Sequence, residues 1–103
     1  MTDRIPNAER EAAVLQTCRR VAIAVMVAYA ESGITFEEAD AQLEQKRGWA
    51  ARTLGRLMRG DGNIDCRIIA DLFFPTGFRP DIRLVKRPAE SSGADSGGSD
   101  DQG

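Results

Sequence analysis

The sequence predicts an all-α domain of four to five helices that ends in a short extended segment. Three observations carry this. Apolar residues from Leu15 to Tyr29 recur at three- and four-residue steps, the period of a helix face. Thr35-Phe36-Glu37-Glu38 has the form of a capping box at the start of another helix. Gly48, the "GDG" at 60–62 and Pro75 with Gly77 then divide the rest into two further helical stretches.

The first helix is read over Asn7 to Ser32, with Asn7 as N-cap and Gly33 as the residue that stops it. Leu15, Cys18, Ala22, Val25, Met26 and Tyr29 form its apolar face. Val21, Ile23 and Val27 widen that face until the second half is apolar almost all round, which implies burial on more than one side. The second helix begins after Thr35 and turns Phe36, Ala39 and Leu43 inward. The third runs from about Trp49 to Arg59. A fourth opens at Asn63-Ile64-Asp65, with Asp65 or Asn63 as cap, and presents Ile68, Ile69, Leu72 and Phe73. In "FRPDIRLVK", Phe78, Ile82 and Leu84 fall on one side of an extended segment. Pro80 suits an edge or a strand start because it donates no hydrogen bond. One strand has no partner within the chain, so pairing with a second copy is expected.

A chain of 103 residues is one domain plus tails, and 42% hydrophobic with 29% charged residues is ordinary for a soluble protein. So small a core favours oligomerisation. Cys18 and Cys66 lack metal-ligand spacing and there is no His, so no metal and no cofactor is expected. The cysteines read as reduced core residues of a cytoplasmic protein in preference to a disulfide. The apolar run Val21 to Ala30 is shorter than the about 20 residues that span a bilayer. Arg19-Arg20 before it and Ala28-Tyr29-Ala30 at its end imitate a secretory signal, but Asp3, Glu9 and Glu11 precede it. A buried helix, and no membrane, is the preferred reading.

Charge divides the chain unevenly. The formal net charge is −2, yet residues 89–103 hold four acids (Glu90, Asp95, Asp100, Asp101) and no base. Taking these four from the 16 acids leaves 12 against 14 bases over residues 1–88, so that part is about +2. Ser, Gly and Asp composition over 89–103 cannot bury enough apolar surface to order the chain. The expected division is therefore an N-terminal tail at 1–6, a folded domain at 7–87 and a disordered acidic tail at 88–103.

The positive charge gathers in "KRGWAARTLGRLMRGDG", residues 46–62. From Lys46 to Arg59 there are five bases and no acid. At 100° per residue, Arg56 and Arg59 lie within about 40° of Arg52, and Trp49 stands at the edge of this stripe. Ala50, Leu54, Leu57 and Met58 cluster on the opposite face. Solvated helix faces usually mix signs, because like charges at this spacing repel by about a few tenths of a kcal/mol. Guanidinium groups are planar forks of donors that match phosphate oxygens and guanine edges. The pattern points to nucleic acid, and Gly48 and Thr53 are small enough to let a backbone approach.

The order of these motifs resembles the lambda-repressor-like, Cro-type helix-turn-helix family over residues 19–86. Thr35 matches the family's cap of helix two, Leu57-Met58-Arg59-Gly60 its Leu-x-x-Gly close of helix three, and Asn63-Ile64 the loop into helix four. "IADLFF" at 69–74 matches the apolar helix-four pattern, and several members end in a strand like "DIRLV". Leu43 and Gly60 stand 17 apart, about one helical turn more than the family's usual spacing. Glu44 occupies the place of its usual Gly. Either helix two is longer or the turn is rebuilt around Gly48.

The resemblance implies a repressor-type transcription regulator that binds double-stranded DNA as a homodimer, with helix three in the major groove. Trp49, Arg52, Thr53 and Arg56 would lie nearest the bases, with Trp49 open to a core role instead. Lys46 would join the DNA face beside Arg47, and Arg47 and Arg59 would clamp phosphates. Thr35 would hold a phosphate at the positive end of helix two, and Asn63 would touch backbone or serve the turn. The alternative is an antitoxin or adaptor on the same scaffold, with a toxin or other protein as partner. No enzyme is expected, since no nucleophile–base pair or phosphate-binding Gly loop is present.

Overall fold

The computed structural model describes residues 4–88, and within them the regular structure is entirely helical. The expected acidic tail lies outside the described residues from 89 onward. Four α-helices follow in order: α1 Asn7–Ser32, α2 Phe36–Gln42, α3 Trp49–Met58 and α4 Cys66–Phe73. A 3-10 turn over Phe74–Thr76 closes α4.

The ends follow from local chemistry. Asn7 is not the N-cap of α1: Pro6 takes that place, and Asn7 is the first helical residue. Its Oδ1 accepts from the Arg10 guanidinium at 3.3 Å instead. Gly33 stops α1 in a left-handed conformation, φ 75°. The capping box at α2 forms as expected. Glu38 N–H donates to Thr35 Oγ1 at 3.0 Å, and Thr35 N–H donates to the Glu38 carboxylate at 2.9 Å. For α4 the cap is Asp65, whose Oδ1 accepts from Ile68 N–H at 2.9 Å.

One core joins all four helices. α1 contributes Ala22, Val25, Ala28 and Tyr29, α2 Ala39, α3 Ala50 and Leu57, and α4 Leu72 and Phe73. Alanines at the crossings keep side-chain volume low where backbones approach. The Tyr29 and Phe36 rings meet edge to face at 4.8 Å, and the Tyr29 hydroxyl donates to the Leu72 carbonyl at 2.7 Å. Burial pushes the Tyr29 pKa above its ordinary value, and the Asp40 carboxylate adds to that.

Two expectations are adjusted. α1 is apolar almost all round in its second half, yet only one side is covered: Ile23, Met26 and Val27 are exposed. This helix is long and apolar enough to cross a membrane, a property that core helices of soluble proteins share. Residues 78–88 form no strand, and Ile82 and Leu84 are 90% and 101% exposed. A strand requires a neighbour for its backbone hydrogen bonds, and among the described residues no strand lies beside this segment.

Candidate nucleic-acid interface

The residues between α2 and α3 decide how the basic helix is presented. α2 ends at Gln42 and α3 begins at Trp49, so a six-residue connection, 43–48, joins them. Glu44 N–H donates to Ala41 O at 3.2 Å and Gln45 N–H to Asp40 O at 2.9 Å, a Schellman close. Its C′ residue is Glu44, at φ 56°. The left-handed conformation persists where a Gly would take it without strain.

Asp40 then ties this connection to α3. It is 3% exposed, and its two oxygens accept the N–H groups of Gly48 and Ala50, each at 2.8 Å. A carboxylate here meets otherwise unpaired amides and the positive end of the α3 dipole. Gly48 is the N-cap, with φ 88°, which an L side chain adopts only under strain.

At the other end, Gly60 N–H donates to Leu57 O at 3.0 Å and Asp61 N–H to Arg56 O at 3.0 Å. Gly60 has φ 81°, and a Cβ on it would lie 2.6 Å from Leu15 Cδ1 and 3.1 Å from Leu15 Cα. The Leu-x-x-Gly pattern thus serves both the helix stop and the contact with α1. Arg19 of α1 donates through Nε to the Met58 carbonyl at 3.0 Å, adding a guanidinium at the C-terminal end of α3.

The stripe expected from helical spacing is present. Trp49, Arg52, Arg56 and Arg59 line one open depression with Ala51 and Gly55 along the outer side of α3. Arg56 is pinned: its Nε lies 2.7 Å from Asp61 Oδ2, with both side chains partly exposed. The Asn63 N–H and the Arg56 guanidinium hold the Asp61 carboxyl below its ordinary range. Arg52 Nη1 donates to the Arg47 carbonyl at 3.2 Å, and Arg47 pairs with Glu37 at 2.8 Å on the surface. Lys46, Arg52 and Arg59 form no ion pair among the described residues. Trp49 is half-buried, packed against the core and bordering the depression at once.

Three of the expected residues also carry bonds within the fold. Thr53 borders the same depression but is 3% exposed, and its hydroxyl donates to the Trp49 carbonyl at 2.8 Å. One residue on from Arg52 is about 100° around the helix, which turns Thr53 to the edge of the apolar face. Thr35 is exposed and engaged in the capping box, with its hydroxyl and its N–H both bonded to Glu38. Asn63 is exposed in the loop, with its N–H donated to Asp61 Oδ1 at 2.9 Å, and Asp65 takes the cap.

Sequence reasoning missed Asp40 and Asp61. Asp40 follows Ala39 on the inward side of α2, and a carboxylate among apolar positions was the available signal. Asp61 was read only as the middle of a turn. The chain matches no protein-family model, no curated protein and no solved structure.

Proposed function

We propose that this protein is a sequence-specific double-stranded DNA-binding regulator of the repressor type, built on a lambda-repressor-like helix-turn-helix. In this reading α2, the connection 43–48 and α3 are the helix-turn-helix unit, and α3 enters the major groove. The single observation that carries it is the stripe of Arg52, Arg56 and Arg59 beside Trp49 on the outer face of α3, opposite the buried Ala50 and Leu57. Arg52 is the base-reading residue, because its guanidinium has no carboxylate partner among the described residues and it stands in the first turn of α3, the end that meets the bases, whereas Arg59 lies past the last. Arg47, Lys46 and Arg59 contact phosphates, and the Arg56–Asp61 pair shapes the surface between them.

A homodimer completes the site, since one α3 reads few base pairs and two copies read a two-fold half-site pair. Its surface is the uncovered side of α1 at Ile23, Met26 and Val27 together with residues 78–88. Phe74 at 78% exposed and Leu84 at 101% also support a second reading, an adaptor or antitoxin that binds another protein through this apolar surface. A cytoplasmic setting goes with either.

Salt-titrated fluorescence anisotropy with genomic duplex fragments tests the first reading. The logarithm of affinity should fall linearly with the logarithm of salt. Arg52→Ala should weaken the specific complex by about tenfold or more, corresponding to about 1–3 kcal/mol for a base contact. Absence of any specific complex, with Arg52→Ala and Arg59→Ala leaving duplex affinity unchanged, rejects it.

A further inference from the structure

We infer that the acidic segment 89–103 docks on the basic face of α3 in the same chain and competes there with a polyanion. The occupant is "AESSGADSGGSDDQG", which carries four carboxylates and no base. The surface is the outer side of α3 with the connection that leads into it, where Lys46, Arg52 and Arg59 have no ion-pair partner among the described residues. Arg19, held against the Met58 carbonyl, extends the positive charge at the helix's end. Opposite charges on one chain meet at an effective concentration on the order of millimolar, set by the tether and not by the protein concentration.

Reach permits the contact. Fifteen residues counted from Ala89 span up to about 50 Å when extended. The longest dimension of the structure is 49 Å, so the extended segment is comparable in length with the whole described molecule. The nearer bases Arg79, Arg83, Lys86 and Arg87 are the competing target. They are spread along a segment without regular structure, and Arg83 is paired with Asp81 at 3.1 Å. The α3 bases stand on a helix held at both ends, by Asp40 and by Gly60, so less freedom is lost on binding them.

The consequence is a built-in discrimination. A weak, distributed contact from the tail lowers affinity for any phosphate backbone, while a site that also offers base contacts to Arg52 displaces it. This consequence rests on the DNA-binding reading; the docking itself does not.

The test compares the full chain with a full-length variant carrying Glu90→Gln, Asp95→Asn, Asp100→Asn and Asp101→Asn. In 1H–15N NMR spectra at about 0.01 M salt, the Trp49 indole N–H and the amides of 46–60 should differ between the two proteins. At about 1 M salt, where the screening length falls to about 3 Å, the differences should vanish. At low salt the variant should bind random-sequence duplex about three- to tenfold more tightly, with convergence as salt rises. Identical spectra over 46–60, or differences confined to 79–88, overturn the docking even if duplex affinity changes, since removing charge alone relieves long-range repulsion. Spectral differences at 46–60 with no duplex binding by either protein uphold the docking and reject the DNA reading instead.

Discussion

The Asp40 carboxylate accepts the Ala50 backbone N–H at 2.8 Å across the connection between α2 and α3. With the matching bond from Gly48 N–H at 2.8 Å, one buried side chain sets where the basic helix begins. Asp40 thereby places the basic face of α3 without being part of it.

Asp40→Ala leaves two amides without partners in a buried place and should cost about 2–4 kcal/mol in urea denaturation. Asp40→Asn keeps one acceptor but turns an amide donor toward the other N–H, so about half that loss is expected. A variant with unchanged unfolding midpoint and slope would show that water satisfies these amides and that α3 is placed by packing alone.

The two left-handed closes should respond in opposite directions. Gly60→Ala introduces strain at φ 81° and drives a Cβ against the Leu15 backbone, so a loss of about 2 kcal/mol or more is expected. Glu44→Gly relieves about 1 kcal/mol of strain at φ 56°, partly offset by the greater freedom of Gly in the unfolded chain. A net gain below about 1 kcal/mol should raise the thermal midpoint. Both are read by calorimetry; a destabilised Glu44→Gly protein would contradict the account of this turn.

Asp61 makes stability depend on pH in a defined sense. Its folded pKa is lowered, first by the Asn63 N–H and then by the Arg56 guanidinium. The ionised carboxylate therefore adds stability that is complete above the unfolded-state value of about 3.9, and this is lost as the pH falls through the lower folded-state value. Thermal midpoints from neutral to acid pH should be lower for Asp61→Asn, and the two curves should converge at the acid end. Parallel curves throughout would mean that the pair contributes nothing that titrates.

Thr53 separates the buried edge of α3 from its outer face. Thr53→Val removes only a hydroxyl bonded to the Trp49 carbonyl and should leave duplex affinity within about twofold, with stability changed by less than about 1 kcal/mol. Arg52→Ala should do the reverse, weakening binding with little effect on folding. A large loss of affinity in Thr53→Val would place that residue at the ligand after all.

Much of this protein is local enough to be legible in its sequence. The span of α1, the Thr35–Glu38 box, the Gly33 stop and the arginine stripe each depend on residues within about one helical turn of one another. The same holds for the all-helical class, which the apolar period sets before any packing is known. Asp40 and Thr53 were beyond that range. Asp40 is an acid on a short helix until α3 lies beside it, and Thr53 is a small polar residue on a basic helix until the core covers it.

What the sequence by itself determined is therefore the helices, the Thr35 capping box, the Gly33 stop and the placing of five bases on one stretch, because these follow from short-range periodicity and hydrogen bonding. Only the tertiary structure decided that α2 stops at Gln42 and the connection 43–48 leads into α3, that Thr35 and Thr53 are engaged internally, and that Arg56 is paired while Arg52 has no carboxylate partner among the described residues. Those outcomes depend on which groups distant elements bring within hydrogen-bond reach. A side chain faces a ligand only when nothing in its own fold has already claimed it.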